Sequence, residues 1–352
     1  MRPVRFLVPG TTGKFHCGGL FVELQTARLV EPMTSVEIVT YRQREPGCTF
    51  LDDLLRLEPA GIQPDQALWI VSWGFDVPML LRRLSGRAVA YHAHSAGYGF
   101  DLPAGTPVLA VSRNTLGYWG SRHPRAPLFL VPNALESSWL NRGARHGGQD
   151  RSIDVLVQQR KTSHYVLNQL VPALKREGLN VVVQRGWVDD LVSLFNDAKV
   201  YIYDSADYWA SRRVSEGFGL PPIEALACGC VVFSSLNHAL ADLLDPGLIG
   251  HQIGMGTLAG DVDRISAAVR NPQAWTVDPE ELEPLLAGLS EEALLKRWQS
   301  ALIGLNEYWN LRAAGHGQLR SDWLRRQPVW NRAMAIARRL AKLLPSVGRS
   351  VG

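Results

Sequence analysis

The chain is poor in cysteine and has no long apolar run. Its four cysteines, Cys17, Cys48, Cys228 and Cys230, show no paired C-x-x-C spacing. That argues against a zinc ribbon or a disulfide framework and fits a reducing cytoplasm. No stretch reaches the roughly 18 consecutive apolar residues of a membrane-spanning helix. The N-terminus, Met1-Arg-Pro-Val-Arg-Phe-Leu-Val-Pro-Gly10, enters a strand-like segment directly, without the apolar core and cleavage site of a signal peptide. No G-x-G-x-x-G follows that strand, and Gly10-Thr-Thr-Gly13 has the wrong spacing. A dinucleotide-dependent dehydrogenase is thereby disfavoured. No Asp-x-Asp motif stands near the loops, so neither a metal ligand set nor an obligatory metal is expected. No nucleic-acid recognition motif accompanies the basic charge, and nucleic acid is not expected as a partner.

What the chain does have is enough material for two full cores. Its 352 residues are 46% hydrophobic and 20% charged, which suits a globular protein of two ordinary domains. The net charge of +4 hides an asymmetry. Residues 312–352 hold nine Arg or Lys and one acid, Asp322, for +8; the rest holds 28 basic and 32 acidic residues, for −4. Within this tail, Val329 to Leu344 sets Trp330, Met334, Ile336, Leu340 and Leu343 among Arg332, Arg338, Arg339 and Lys342. Such a basic amphipathic helix either lies on an anionic membrane surface or packs on the fold with its charges in water.

Strand and helix patterns alternate along the chain. Strands are expected at Val4–Val8, Val36–Thr40, Leu68–Ser72, Ala88–Tyr91, Val108–Val111 and Phe129–Val131, with a helix at about Leu20–Leu29. A second series follows a Gly, Asn and Arg-rich stretch. It has strands at Ile153–Val157, Val181–Val183 and Val200–Tyr203, and helices at about Tyr165–Lys175, Val188–Phe195, Leu258–Val269 and Glu291–Leu305. This alternation predicts an α/β protein with two Rossmann-like domains facing a central cleft. The expected division is 1–135, a linker at 136–151, 152–310, and a basic helical tail at 311–352. Ligands in such sheets bind at the carboxyl ends of the strands.

The densest segment is Ser215-Glu-Gly-Phe-Gly-Leu-Pro-Pro-Ile-Glu-Ala-Leu-Ala-Cys-Gly-Cys-Val-Val-Phe-Ser234. Gly217 and Gly219 permit a tight turn and close ligand approach. Pro221 and Pro222 are suited to a helix start, placing Glu224 in its first turn. Gly229 suits the stop, and Cys230–Phe233 a buried strand. Unpaired N–H groups at the helix start offer an anion site, and two carboxylates, Glu216 and Glu224, bracket the loop. A carboxylate can accept both hydroxyls of a diol such as a ribose. Taken singly, Glu216 reads equally as a solvated loop charge and Glu224 as a helix-dipole acid.

This run resembles the signature of the retaining nucleotide-sugar glycosyltransferases of family 4, which have the GT-B fold and the E-x7-E motif. The resemblance implies that Glu216 lies near the donor sugar and that Glu224 holds the ribose. Amides of Gly217, Phe218, Gly219 and Leu220 would contact sugar and diphosphate. It also lends weight to Gly18-Gly19 after the first strand, otherwise readable as a plain turn, as a glycine pair facing the donor. Arg160 and Lys161, at a strand end, would stabilise the departing diphosphate; the family usually separates its Arg and Lys, and here they are adjacent. His92-Ala-His94 follows another strand. Joint chelation by its two rings is not expected. One of them, His92 ahead of His94, would contact the sugar or the acceptor; the alternative is an ordinary core or surface histidine. Asp204-Ser205 and the stretch 206–214 either line the pocket or form a surface loop.

The expected activity is transfer of a sugar from a nucleotide diphosphate sugar to the hydroxyl of a glycan or lipid-linked acceptor. That fits cell-surface glycan, lipopolysaccharide or glycolipid synthesis in the cytoplasm or on the inner membrane face. The donor is a substrate, and no other cofactor is expected. The alternative is a catalytically inactive GT-B-like protein that binds nucleotide sugars or scaffolds a complex.

Overall fold

The computed structural model describes residues 1–57, 66–72, 74–143 and 151–315. Residues 144–150 of the expected linker and the basic segment Val329–Leu344 lie outside them. The chain divides into two compact units, 1–307 and 308–352, and the first carries the architecture described below.

The first half runs β1 (Val4–Val8), α1 (Gly18–Val30), β2 (Val36–Thr40), β3 (Thr49–Phe50), α2 (Leu51–Leu57), β4 (Leu68–Val71), α3 (Val77–Arg83), β5 (Ala88–Ala93), β6 (Val108–Ala110), α4 (Arg113–Arg122) and β7 (Leu128–Leu130). Its strands pair in parallel in the order β3-β2-β1-β4-β5-β6-β7. Phe6 of β1 faces Ile38 on one side and Ile70 on the other. Strands β4 and β5 are buried at every position. That is why they read as unbroken apolar runs: helices cover both faces of a parallel sheet.

The second half runs β8 (Ile153–Gln158), a π turn at Val166–Leu170, α5 (Val171–Arg176), β9 (Val181–Gln184), α6 (Leu191–Asn196), β10 (Ala198–Tyr203), α7 (Ala206–Arg212), α8 (Leu220–Ala227), β11 (Val231–Ser234), β12 (His251–Gln252), α9 (Leu258–Arg270) and α10 (Pro279–Gly288). The strand order is β12-β11-β10-β8-β9, again all parallel. Two clusters of buried aliphatic and aromatic side chains form its core, and β8, β10 and β11 supply residues to both.

A final long helix, α11 (Glu291–Ala313), departs from the expected domain division. Its stripe Leu294, Trp298, Leu302 and Leu305 is buried. Trp298 meets Phe6 with ring centroids 5.7 Å apart and His92 at 5.3 Å. Glu291 accepts from Arg28 at 2.5 Å and from Gln25 at 3.0 Å, and Asn306 accepts from the Arg2 amide at 2.8 Å. Residues 291–306 therefore complete the first half, although they follow the second in sequence.

Candidate functional site

The two halves meet at the carboxyl ends of their sheets. Ser215, just before the glutamate loop, forms a small bridge with the segment that leaves β5. Its amide donates to the Ala96 carbonyl at 2.9 Å, and its hydroxyl accepts from the Ala96 amide at 2.9 Å. The Ser95 hydroxyl donates to the Ser215 carbonyl at 2.5 Å. Next to this bridge, a Cβ added at Gly217 would fall 1.4 Å from the His94 carbonyl oxygen. Two backbones touch there, so no side-chain adjustment can make room. Gly219 is glycine for a different reason: its φ is +96°, a region that costs an L-residue strain.

Glu216 is enclosed, with 4% of its surface exposed. Its Oε2 accepts from Tyr203 Oη at 2.5 Å, Trp209 Nε1 at 2.7 Å and Ser205 Oγ at 3.0 Å. Lys161 Nζ lies 3.7 Å from Oε1 and 4.6 Å from the centre of the Trp209 ring. A buried carboxylate survives when it is paired and hydrogen-bonded, and this one has both. Burial and the neighbouring Glu216 charge push the Tyr203 phenol well up, so it stays a donor. Most of the stretch 206–214 is thus the helix α7, Ala206–Arg212, rather than a loop, and its Trp209 reaches back to the motif.

Glu224 is the opposite case. The helix α8 begins at Leu220, with Gly219 as N-cap, so Glu224 falls in its second turn rather than its first. The helix-dipole explanation for an acid there is weakened accordingly. The side chain is partly buried and has no hydrogen-bond partner among the described residues. Burial, with the Glu136 charge adding and Lys161 opposing, pushes its carboxyl up to about 8. The start of α8 is also a leaner anion site than expected. Pro221 and Pro222 remove two of the first N–H groups, leaving those of Gly219 and Leu220.

The remaining sequence candidates divide. Lys161 is held at the site with a left-handed φ of +69°, whereas Arg160 is exposed. Phe218 is 5% exposed and belongs to one of the two clusters that form the core of the second half. Gly18 opens α1 opposite Leu220: a Cβ there would lie 4.0 Å from Leu220 Cδ1, and one at Gly19 3.9 Å from Cys17 Sγ. Protein packing leaves room at both glycines. His16 and Trp187, from loops of the two halves, have ring centroids 6.0 Å apart.

The histidine pair corrects the expectation that its two members act apart, because residues two apart along an extended chain share a face. His92 is buried within β5, 1% exposed, while the His94 side chain is 18% exposed. Exposure reverses the expected order of the two. Their rings are 4.2 Å apart and both reach the same carboxylate oxygen, Glu23 Oε1, at 2.8 Å and 2.7 Å. Strand β5 ends at Ala93, and His94, one residue beyond it, keeps the face that His92 has. Glu23 went unnoticed in the sequence, although a signal exists: it sits among Leu20, Ala27 and Val30 on the buried face of α1.

Comparison with known proteins adds to this geometry. Residues 167–271 match the family Glycosyl transferases group 1. That span contains the whole glutamate loop and none of the first half. No curated protein matches the chain. Among solved structures, sucrose-phosphate synthase from Thermosynechococcus elongatus is similar over 87% of this chain and 99% of its own, with a TM-score of 0.61 at 16% identity. A glycosyltransferase from Rickettsia africae covers 86% of this chain and 98% of its own, with a TM-score of 0.58 at 11% identity. Anabaena HepE, in complex with UDP and glucose, covers 86% of this chain and 100% of its own, with a TM-score of 0.56 at 14% identity. The fold is GT-B: two parallel-sheet Rossmann-like halves, as in these structures.

Proposed function

We propose that this protein is a retaining glycosyltransferase that moves a sugar from a nucleotide diphosphate sugar to a hydroxyl acceptor. The observation that carries the reading is the pairing of Glu216, held through three hydrogen bonds to Oε2, with Glu224, which has no hydrogen-bond partner among the described residues, on either side of the loop glycines. The family match over 167–271 supports it. Glu224 would hold the ribose diol, since its carboxyl has no competing donor. Lys161 would neutralise the leaving diphosphate, and the two prolines of α8 make that cation more important. The amides of Gly217 and Gly219 and Oε1 of Glu216 would address the donor sugar. The open space at Gly18 and Gly19 suits a ligand that approaches the backbone closely. His94, rather than His92, has the exposure to meet the sugar or the acceptor. A UDP sugar is the first donor to try, because HepE, a structural neighbour, is seen with UDP-glucose.

The decisive assay is consumption of nucleotide sugars, with and without glycan, lipid and small hydroxyl acceptors. Turnover with retained anomeric configuration is expected, without a requirement for added divalent metal. Glu224→Ala should weaken nucleotide binding by roughly tenfold or more, the loss of two charge-assisted hydrogen bonds. Unchanged affinity by calorimetry would sink the ribose role. Binding without any turnover would instead favour a catalytically inactive nucleotide-sugar binder. The satisfied Oε2 of Glu216 is the observation on that side.

The acceptor side includes a membrane reading. No helix among the described residues is long and apolar enough to cross a membrane. The net +8 of residues 312–352 would hold the protein on an anionic surface. Deleting 329–352 should release it from anionic liposomes; a full-length protein that never binds them removes this part of the proposal.

A further inference from the structure

Glu23 places a buried charge beneath the cleft, and the described residues around it provide two imidazoles as its only hydrogen-bond partners. Oε1 receives both, while Oε2 has none. The carboxyl is pushed up by burial, yet His92 and His94 bring it well below the ordinary carboxylate range. One oxygen, Oε1, meets both ring nitrogens, at 2.8 and 2.7 Å, while Oε2 meets none; that is the geometry of a carboxylate oxygen that accepts twice, so each contacting ring nitrogen is N–H. His92 therefore carries its proton on Nδ1. Its Nε2 is buried without a partner, and a second proton there would be an unsolvated charge. Burial accordingly holds the His92 imidazole below its ordinary value, and it is neutral.

His94 differs in one respect. Its Nε2–H points inward to Glu23, but its Nδ1 meets no protein donor or acceptor among the described residues, and the side chain is 18% exposed. The same residue lays its carbonyl against Gly217, at the start of the donor loop. Glu23 in turn lies on α1, the helix that Gly18 and Gly19 open.

We infer that Glu23 is a positioning residue that fixes His94 as the Nε2–H tautomer and turns its Nδ1 toward the cleft as a hydrogen-bond acceptor for a substrate hydroxyl. This deepens the glycosyltransferase reading and rests on it for the identity of the hydroxyl. His92 serves as the second clamp on the same oxygen, which keeps Glu23 from rotating away. A metal ion is a poorer occupant of the three residues. The contacts of 2.7 and 2.8 Å are N–H···O distances. Ligands about 2.0–2.1 Å from one tetrahedral ion would stand farther apart, roughly 3.3 Å. A ligating histidine also donates its other N–H, and His92 Nε2 has nothing to donate to.

Histidine-selective nitrogen NMR of the whole protein reads the tautomer directly, without reference to turnover. The wild type should show His94 with Nε2 protonated and Nδ1 bare, and Glu23→Ala should lose that preference. In steady-state kinetics, Glu23→Ala should lower kcat roughly tenfold to a hundredfold by misplacing the imidazole, with donor KM nearly unchanged. Glu23→Gln, whose amide oxygen still accepts two N–H bonds, should recover most of it. A His94 protonated on Nδ1 in the wild type, or stoichiometric bound zinc by elemental analysis, overturns the inference. So does a Glu23→Ala protein with unaltered tautomer. Should Glu23→Ala fail to fold, the wild-type spectrum and the Glu23→Gln kinetics decide. If no donor is ever consumed but the tautomer responds to Glu23, the positioning stands and the glycosyltransferase reading is what fails.

Discussion

The two ends of the glutamate loop are built on opposite principles. At Glu216 three donors from β10, the turn after it and α7 converge on one oxygen, and a lysine faces the other. At Glu224, one helix turn into α8, the carboxyl meets no donor and is pushed up to about 8. Both are acids of one short motif, Glu216 beside the loop glycines and Glu224 within the helix. The difference teaches that burial alone does not decide how a carboxylate is treated: donors from three elements enclose the one, and the other is left without them, at a cost in desolvation.

The largest test of this contrast is steric. Gly217→Ala would push a Cβ to 1.4 Å from the His94 carbonyl and force the halves apart, so turnover should fall more than roughly a hundredfold. Gly18→Ala, with 4.0 Å to Leu220, should leave the melting temperature unchanged. If Gly217→Ala melts like Gly18→Ala and turns over like the wild type, the close approach is not what positions the loop.

The next test exchanges acid for amide at each end. Glu216→Gln replaces a charge-assisted acceptor by a neutral one and should cost about 1–3 kcal/mol of stability, read by denaturant unfolding. Glu224→Gln should be neutral or stabilising, because no partner is lost and a desolvated charge is removed. Equal losses at the two positions would erase the distinction drawn here.

The smallest effect is a pH profile. Glu224 has a folded value of about 8 against an ordinary 4.5, so the folded state holds the proton more tightly. Its contribution to stability is full below about 4.5 and is lost as pH rises through about 8. Nucleotide binding should run the other way if ribose takes the ionised form. Affinity would climb by up to about tenfold per pH unit toward 8 and level off above it. Glu224→Gln should flatten that slope, and a flat wild-type profile between pH 6 and 9 would break the assignment.

Much of the fold was legible because parallel strands buried on both faces announce themselves as apolar runs. Val4–Val8 falls where its run placed it, and Val36–Thr40, half-buried and carrying Glu37, also keeps its expected bounds. Helix α8 was marked by its glycines and prolines, and was off by one residue at its start. The supporting residues were harder to read. Tyr203 and Trp209 look like core aromatics until one asks where a buried O–H and N–H find acceptors. Glu23 looks like a flaw in an amphipathic helix until His92 and His94 are seen beside it. The return of α11 to the first half could not be read at all, since periodicity shows which face is buried and not against what.

The sequence by itself determined the two α/β halves, the loop that carries Glu216 and Glu224, and the glycines that let it turn, because these depend on local conformational preference and on burial pattern. Only the tertiary structure decided that Glu216 is held and Glu224 is left free, that Lys161 rather than Arg160 reaches the loop, and that His94 rather than His92 is part-exposed. Those outcomes depend on which side chains from distant elements come within about 3 Å of one another, a distance at which hydrogen bonds form and which no local pattern encodes.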